Sequence, residues 1–463
     1  MYNHNEYKNN ERVPTSSESL AQSSFWLFIA RWTGTAISLV TGIIIARCLG
    51  PDGKGRLALI NSVASYFGQI VGLGLSVAIV YYIGRMKWSA LWVLKTACSI
   101  SFSIWIISVG FLAIGGNVLA QKWQLTSEDM QLLWLLMAFM PLGIVSGHLG
   151  NILRAFNFIV VLAWRNIVQN LTTAVLVFLL VFLLKGGLLG AIASNIGGGI
   201  VGQILIISAA LRIIDWTPSG SKQESFWPLI IYSIGNYFWE LLTVLVMRVD
   251  MWLVGYYLGP SQVGVYSIAL IGSEFVPSIA AVIGYALVSR VARNSPEEAL
   301  KTTIFAAKIT RLSGIIIAII LIPLALLIPA IYGEAFKGAL VPFYICLFGM
   351  IFIPEIVIIQ NHLLGGGHLK PLIIGQFFTL IIEIVFNLIF IPIYQLKGAA
   401  VALSITVVFT WVIYIIIFYR IYCKIYIKKE IFLISYFRLN REDIQVLIKR
   451  LQILIKRKSS NKS

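Results

Sequence analysis

Ionisable side chains stand inside stretches of this sequence that are otherwise apolar for about twenty residues at a time. Arg31, Arg165, Arg248, Lys308 and Arg311 are basic; Glu240, Asp250, Glu274, Glu355 and Glu383 are acidic. A charge in a hydrocarbon layer costs ~2.5–3.5 kcal/mol on insertion scales, so each must meet a partner or a watery cavity. Arginine in such a cavity grips an anion through a bidentate fork that lysine lacks. Arg31 leads the candidates for substrate binding, with Arg165, Arg248, Lys308 and Arg311 behind it, and the competing reading for each is a structural ion pair. Glu274 lies close to Pro277, where a kink frees backbone groups. A carboxylate there suits either exchange of H+ or Na+ or pairing with a basic neighbour. Glu355, beside Pro354, has the same two readings. Arg248 and Asp250, two apart near a helix end, read as a local or lobe-closing pair.

Other chemistry finds no support. His148, His362 and His368 lack metal-ligand spacing; Gly197-Gly198-Gly199 and Gly365-Gly366-Gly367 read as a close helix contact and a turn, with no phosphate-loop motif. Cys48, Cys98, Cys346 and Cys423 are scattered and read as small core residues. No catalytic set, metal site or cofactor follows beyond coupling to H+ or Na+.

The elements that must position these residues are membrane helices. Hydrophobic residues make up 59% of 463, charged residues 12%, and the mean hydropathy is +0.87. A chain of this length and composition belongs in a bilayer. Its runs are too long and evenly apolar for barrel strands, so the expected class is all-α. Helices are expected at about 25–46, 57–83, 89–113, 130–150, 160–184, 188–211, 229–256, 264–288, 300–328, 339–364, 371–393 and 398–420. Trp88, Trp123, Tyr332 and Tyr394, near helix ends, read as interfacial anchors.

The twelve helices form two sets of six. Leu49-Gly50-Pro51 followed by Gly55 returns as Leu258-Gly259-Pro260 followed by Gly264, 209 residues on, and Gly190-Ala191 returns as Gly398-Ala399 at an offset of 208. A matched repeat in an apolar chain predicts two lobes facing a central site. The same offset carries Arg31 onto Glu240, placing opposite charges at equivalent depth. The expected organisation is an N-terminal tail 1–24, a first lobe 25–213, a linker 214–228, a second lobe 229–420 and a tail 421–463.

The net charge of +17 raises nucleic acid as a partner, but its distribution fits orientation better. With a cytoplasmic N-terminus, the inner segments carry Arg85, Lys87, Arg154, Arg212, Arg290 and Arg293 among others, and the outer turns carry fewer basic residues. Both termini are then cytoplasmic. The first helix begins at Phe25 with no cleavage pattern and reads as its own insertion signal. In the basic tail, Ile444, Leu447, Ile448, Leu451 and Leu454 keep helical spacing, as a helix lying on anionic membrane lipids would, or a solvated tail that only enforces orientation.

Ile45-Ala46-Arg47-Cys48-Leu49-Gly50-Pro51, then Arg248-Val249-Asp250 with Leu258-Gly259-Pro260-Ser261-Gln262-Val263-Gly264-Val265-Tyr266, in a chain of twelve helices, resemble the bacterial polysaccharide (O-antigen type) flippases of the multidrug/oligosaccharidyl-lipid/polysaccharide exporter superfamily. The likeness covers about residues 20–420. It implies a V-shaped, two-lobe transporter of the bacterial cytoplasmic (inner) membrane. That transporter would move an undecaprenyl-pyrophosphate-linked oligosaccharide by alternating access for O-antigen and lipopolysaccharide synthesis, alongside polysaccharide assembly machinery. A cation-coupled drug or metabolite antiporter shares the architecture. A membrane polysaccharide polymerase is a third reading, opposed by loops too short for catalytic machinery.

The orientation has a direct check. Cysteines introduced at Asp52 and Ser261 are expected to react with an impermeant thiol reagent from outside, and cysteines at Ser219 and Ser459 are not. Outside labelling of Ser219 would reverse the topology.

Overall fold

The computed structural model describes residues 17–84, 88–214, 216 and 226–423, with side chains described from Thr33 to Tyr422 within those ranges. The tail helix expected beyond 440, most of the linker and the side chain of Arg31 lie outside the described residues. The described chain is helical throughout its elements: α1 (17–49), α2 (51–84), α3 (Ala90–Lys122), α4 (Ser127–Ala155), α5 (Ile159–Leu183), α6 (Gly187–Ile213), α7 (Phe226–Leu258), α8 (260–293), α9 (Pro296–Ala325), α10 (334–365), α11 (369–394) and α12 (396–422). The apolar stretches Thr33–Gly84 and Leu369–Tyr422, of 52 and 54 residues, are each long enough for two crossings and turn from one to the next at Gly50 and Gln395, and the second crossing of the first stretch is interrupted again at Leu73 and Gly74. Counting them as pairs gives the expected twelve spans. Two spans are bent: α8 by 60° between Ser273 and Ser278, where Pro277 lacks an N–H, and α10 by 42° ahead of Pro354.

The sequence repeat is a conformational repeat. Gly50 has φ 66° and ψ −174°, and Gly259 has φ 80° and ψ 175°. Only glycine takes that backbone readily, and in each lobe it lets Pro51 or Pro260 start the next helix immediately. The turns before α6 and α12 match as well, with Lys185 at φ 51° and Gln395 at φ 54°. Gly190 and Gly398 pack on the preceding helix in both lobes, where a Cβ would lie 3.0 Å from the Leu180 carbonyl oxygen and 2.0 Å from that of Phe390.

The two copies of the motif also meet each other. A Cβ on Gly55 would lie 1.7 Å from the Pro260 carbonyl oxygen, and one on Gly264 would lie 1.9 Å from that of Pro51. So α2 and α8 cross backbone on backbone, one from each lobe. Polar contacts surround the crossing. Trp252 Nε1 donates to Ser62 Oγ at 2.9 Å, Trp123 Nε1 donates to the Trp252 carbonyl at 3.1 Å, and Arg47 Nε donates to the Ile331 carbonyl at 2.7 Å. Trp123 is therefore a buried interlobe contact and not the interfacial anchor its place in the sequence suggested. At the far end of the lobes α2 meets the start of α7. There Tyr82 donates to the Pro228 carbonyl at 3.1 Å and Tyr81 stacks on Tyr232 at 4.7 Å.

Any side chain at the crossing forces the lobes apart at the Gly-Pro end. In a cysteine-free background, Gly55→Leu or Gly264→Leu is expected to raise the reactivity of Ser62→Cys toward thiol reagents by about tenfold or more. Unchanged reactivity would show that the crossing does not hold the lobes together.

Candidate functional site

Beneath the crossing, α2, α4 and α6 wall a cavity of about 490 Å³, and α7 of the second lobe contributes Glu240. Gly68, Gly72, Gly143, Gly147 and Gly199 keep its surface close to backbone. Its polar lining is chiefly neutral: Gln69, Ser76, Asn151, Asn195 and Gln203, with Ser101 and His148 joined at 2.9 Å. Side-chain amides present donor and acceptor together, which suits a ligand rich in hydroxyls. Gln69 Nε2 donates to Glu240 Oε2 at 2.9 Å, so the described partner of the residue that mirrors Arg31 is an amide from the first lobe.

The basic candidates whose side chains are described, Arg165, Arg248, Lys308 and Arg311, lie outside the cavity lining. No arginine or lysine lines the cavity among the described residues. Arg311 is held by Glu355 through two contacts, Nη2 to Oε1 at 2.5 Å and Nε to Oε2 at 3.1 Å, and Trp411 Nε1 donates to the same carboxylate at 2.8 Å. Of the two readings open for Glu355, the structure displays the pairing. Lys308 is buried one turn earlier on α9. Arg165 lies in a separate groove between α5 and α6. Glu274 is exposed at the bend of α8.

Arg248 and Asp250 interact electrostatically, and no hydrogen bond joins their side chains among the described residues. The helix of α7 breaks at Met247 and Arg248, which has φ −132°, and resumes with Asp250 facing the lobe interior. Asp250 is buried, accepting from Tyr266 Oη at 2.8 Å and from the Met251 amide at 2.6 Å.

Asp250 also interacts electrostatically with Glu383 of α11. Glu383 is 1% exposed, and neither of its carboxylate oxygens has a hydrogen-bond partner among the described residues. One turn on, Asn387 donates from Nδ2 to the Glu383 carbonyl at 2.8 Å, while its Oδ1 is buried without a partner, as is Thr406 Oγ1. Oxygen atoms enclosed this way are costly unless they share a proton or a cation. Glu383 stood out in the sequence only as one more charge. Its signal was the polar residue at helical spacing, Asn387, in an otherwise apolar run.

Two six-helix lobes thus cross at one end and enclose a cavity below. Solved structures share this fold. An inward-facing multidrug resistance MATE family transporter of the MOP superfamily superposes with a TM-score of 0.68 at 16% identity, over 84% of this chain and 94% of that one. The lipid II flippase MurJ, in an inward closed conformation, gives 0.64 at 16% over 93% and 97%, and a MOP superfamily transporter from Pyrococcus furiosus gives 0.62 at 14% over 87% and 95%. The family model described as polysaccharide biosynthesis protein matches residues 20–288, more than half of the sequence, and the chain belongs to that family. Its fold is the one these MOP superfamily transporters share. No curated protein matches the chain.

The Arg311–Glu355 pair gives a stability test. Arg311→Gln leaves a buried carboxylate without its cation and is expected to cost about 3 kcal/mol, while Arg311→Met with Glu355→Leu recovers most of the loss. Thermal unfolding in detergent reads both. A single variant as stable as wild type would show the pair to be dispensable for the fold.

Proposed function

We propose that this transporter is a flippase for a polyprenyl-diphosphate-linked oligosaccharide, carried by alternating access across the bacterial cytoplasmic membrane for surface polysaccharide synthesis. The observation that carries the reading is the cavity lining. Gln69, Asn151, Asn195 and Gln203 offer paired donors and acceptors to sugar hydroxyls, with one carboxylate nearby, in a member of a polysaccharide biosynthesis family. Its volume falls in the range of small-ligand cavities and suits a few sugars rather than a polymer. The linker end carries Arg154, Arg212, Arg290 and Arg293, which supports placing it and both termini in the cytoplasm and the Gly-Pro end outside. Asp250 and Glu383 are the carboxylates best suited to bind the coupling H+ or Na+, ahead of Glu274 and Glu355. Arg31, on α1 and matched by the repeat to Glu240, is assigned to the anionic end of the substrate.

Export complementation at matched membrane abundance tests this reading. Arg31→Ala is expected to abolish polymer export, Arg31→Lys to retain part of it, and Asn195→Leu with Gln203→Leu to reduce it by about tenfold or more through lost sugar contacts. Wild-type export by Arg31→Ala would make that residue structural. Drug efflux without any polysaccharide export would replace the flippase with an antiporter.

A further inference from the structure

On the flank of the first lobe, α5 and α6 leave a groove of about 350 Å³ that shares no lining residue with the cavity. Arg165 and Arg212 line it with Ser208 between apolar walls that include Trp164, Leu205 and Ile213. No carboxylate lines it among the described residues. Arg165 is the seventh residue of α5 and Arg212 the last but one of α6, and both helix ends lie at the linker end. Both guanidiniums thus stand within ~10 Å of that end, at the depth of lipid headgroups.

Simple snorkelling does not account for Arg165. A snorkelling arginine carries its N–H groups out to water. Here Nη1 donates to Asn166 Oδ1 at 3.1 Å on the exposed side, but Nε is buried without a hydrogen-bond partner among the described residues. The guanidinium lies against α6 at Gly202, where a Cβ would be 3.3 Å from Nε. A buried donor of this kind is rare in folded proteins and marks a missing acceptor. Two guanidiniums and a hydroxyl at headgroup depth call for a phosphate. Trp164, Leu205 and Ile213 are exposed, so the same groove meets an apolar chain from the bilayer side.

We propose that this groove docks the diphosphate of a polyprenyl-linked lipid from the cytoplasmic leaflet, ahead of its entry to the cavity. The charge favours this occupant, because a diphosphate diester carries two negative charges to match the two arginines, and a phospholipid diester carries one. The assignment rests on the flippase reading above and adds a separate loading site to it.

Native mass spectrometry of the full chain in detergent tests the proposal, with undecaprenyl diphosphate, phosphatidylglycerol and inorganic diphosphate as probes. Wild type is expected to retain undecaprenyl diphosphate about tenfold or more better than phosphatidylglycerol, and equimolar inorganic diphosphate is not expected to displace it. Arg165→Gln with Arg212→Gln is expected to lose that preference, and Arg165→Lys with Arg212→Lys, which keeps the charge should the first pair fold poorly, to retain part of it. Arg290→Gln, a basic residue at the same end of the other lobe, is expected to bind as wild type does. Equal retention by wild type and the glutamine double variant would overturn the groove and leave the Arg31 complementation result standing. Phosphatidylglycerol held as tightly as undecaprenyl diphosphate would overturn it too, by making the groove a phospholipid site. Undecaprenyl diphosphate retained by neither wild type nor variant would sink the groove and the flippase reading together.

Discussion

The crossing of α2 over α8 is the contact on which the rest of the molecule depends. Within a bilayer no hydrophobic force draws two lobes together, because lipid tails are as apolar as the helices, and association rests on close packing and polar bonds. Gly55 and Gly264 supply the closest packing available, with each backbone seated against the other lobe's proline carbonyl. The same two motifs supply the turns at Gly50 and Gly259 that aim α2 and α8 at each other. Duplication thus gave the motif its partner, and the pseudo-symmetry of the sequence is the symmetry of the contact.

Below that crossing the lobes divide the polar chemistry between them. The first lobe offers an open, largely neutral surface of amides and glycines. The second lobe closes its polar groups inside: Arg311 with Glu355 and Trp411, Asp250 with Tyr266, and Glu383 with Asn387 and Thr406 behind them. A neutral wall binds through many weak, directional bonds that a moving ligand can exchange. Enclosed carboxylates respond instead to a single proton or ion, since a change of one charge at low dielectric outweighs several neutral hydrogen bonds.

The architecture was legible in the sequence because it is written in backbone requirements. The span count followed from apolar length, the halves from a repeated Leu-Gly-Pro, and the bend of α8 from Pro277. Gly198 realises the expected close helix contact, and its partner is Thr173 on α5, with a Cβ position 1.9 Å from the hydroxyl. The site was less legible because it is made mostly of neutral residues, which are unremarked within apolar helices. Gln69, Asn195 and Gln203 give no charge signal, whereas the conspicuous Arg311 proved to be matched with Glu355. At Arg248 and Asp250, proximity along the chain did not reveal that the helix breaks between Val246 and Val249. Asp250 therefore takes its hydrogen bonds from Tyr266 and Met251, while Arg248 acts on it electrostatically.

One bond ties the cavity to the crossing. Gln69 lies on α2, the helix that carries Gly55, and it bonds Glu240 on α7, the only second-lobe residue in the cavity wall among those described. A ligand hydroxyl that engages the Gln69 amide competes with this interlobe bond. It therefore binds with different free energy when the lobes are joined there and when they are parted, and only such a difference lets a ligand shift a conformational equilibrium. A single hydrogen bond contributes about 1 kcal/mol, so the shift from one bond is severalfold rather than complete. In the proposed transport cycle a second contribution is then needed, and the enclosed carboxylates of the second lobe, Asp250 on α7 itself and Glu383 on a helix that packs against α7, are where a proton or cation would supply it.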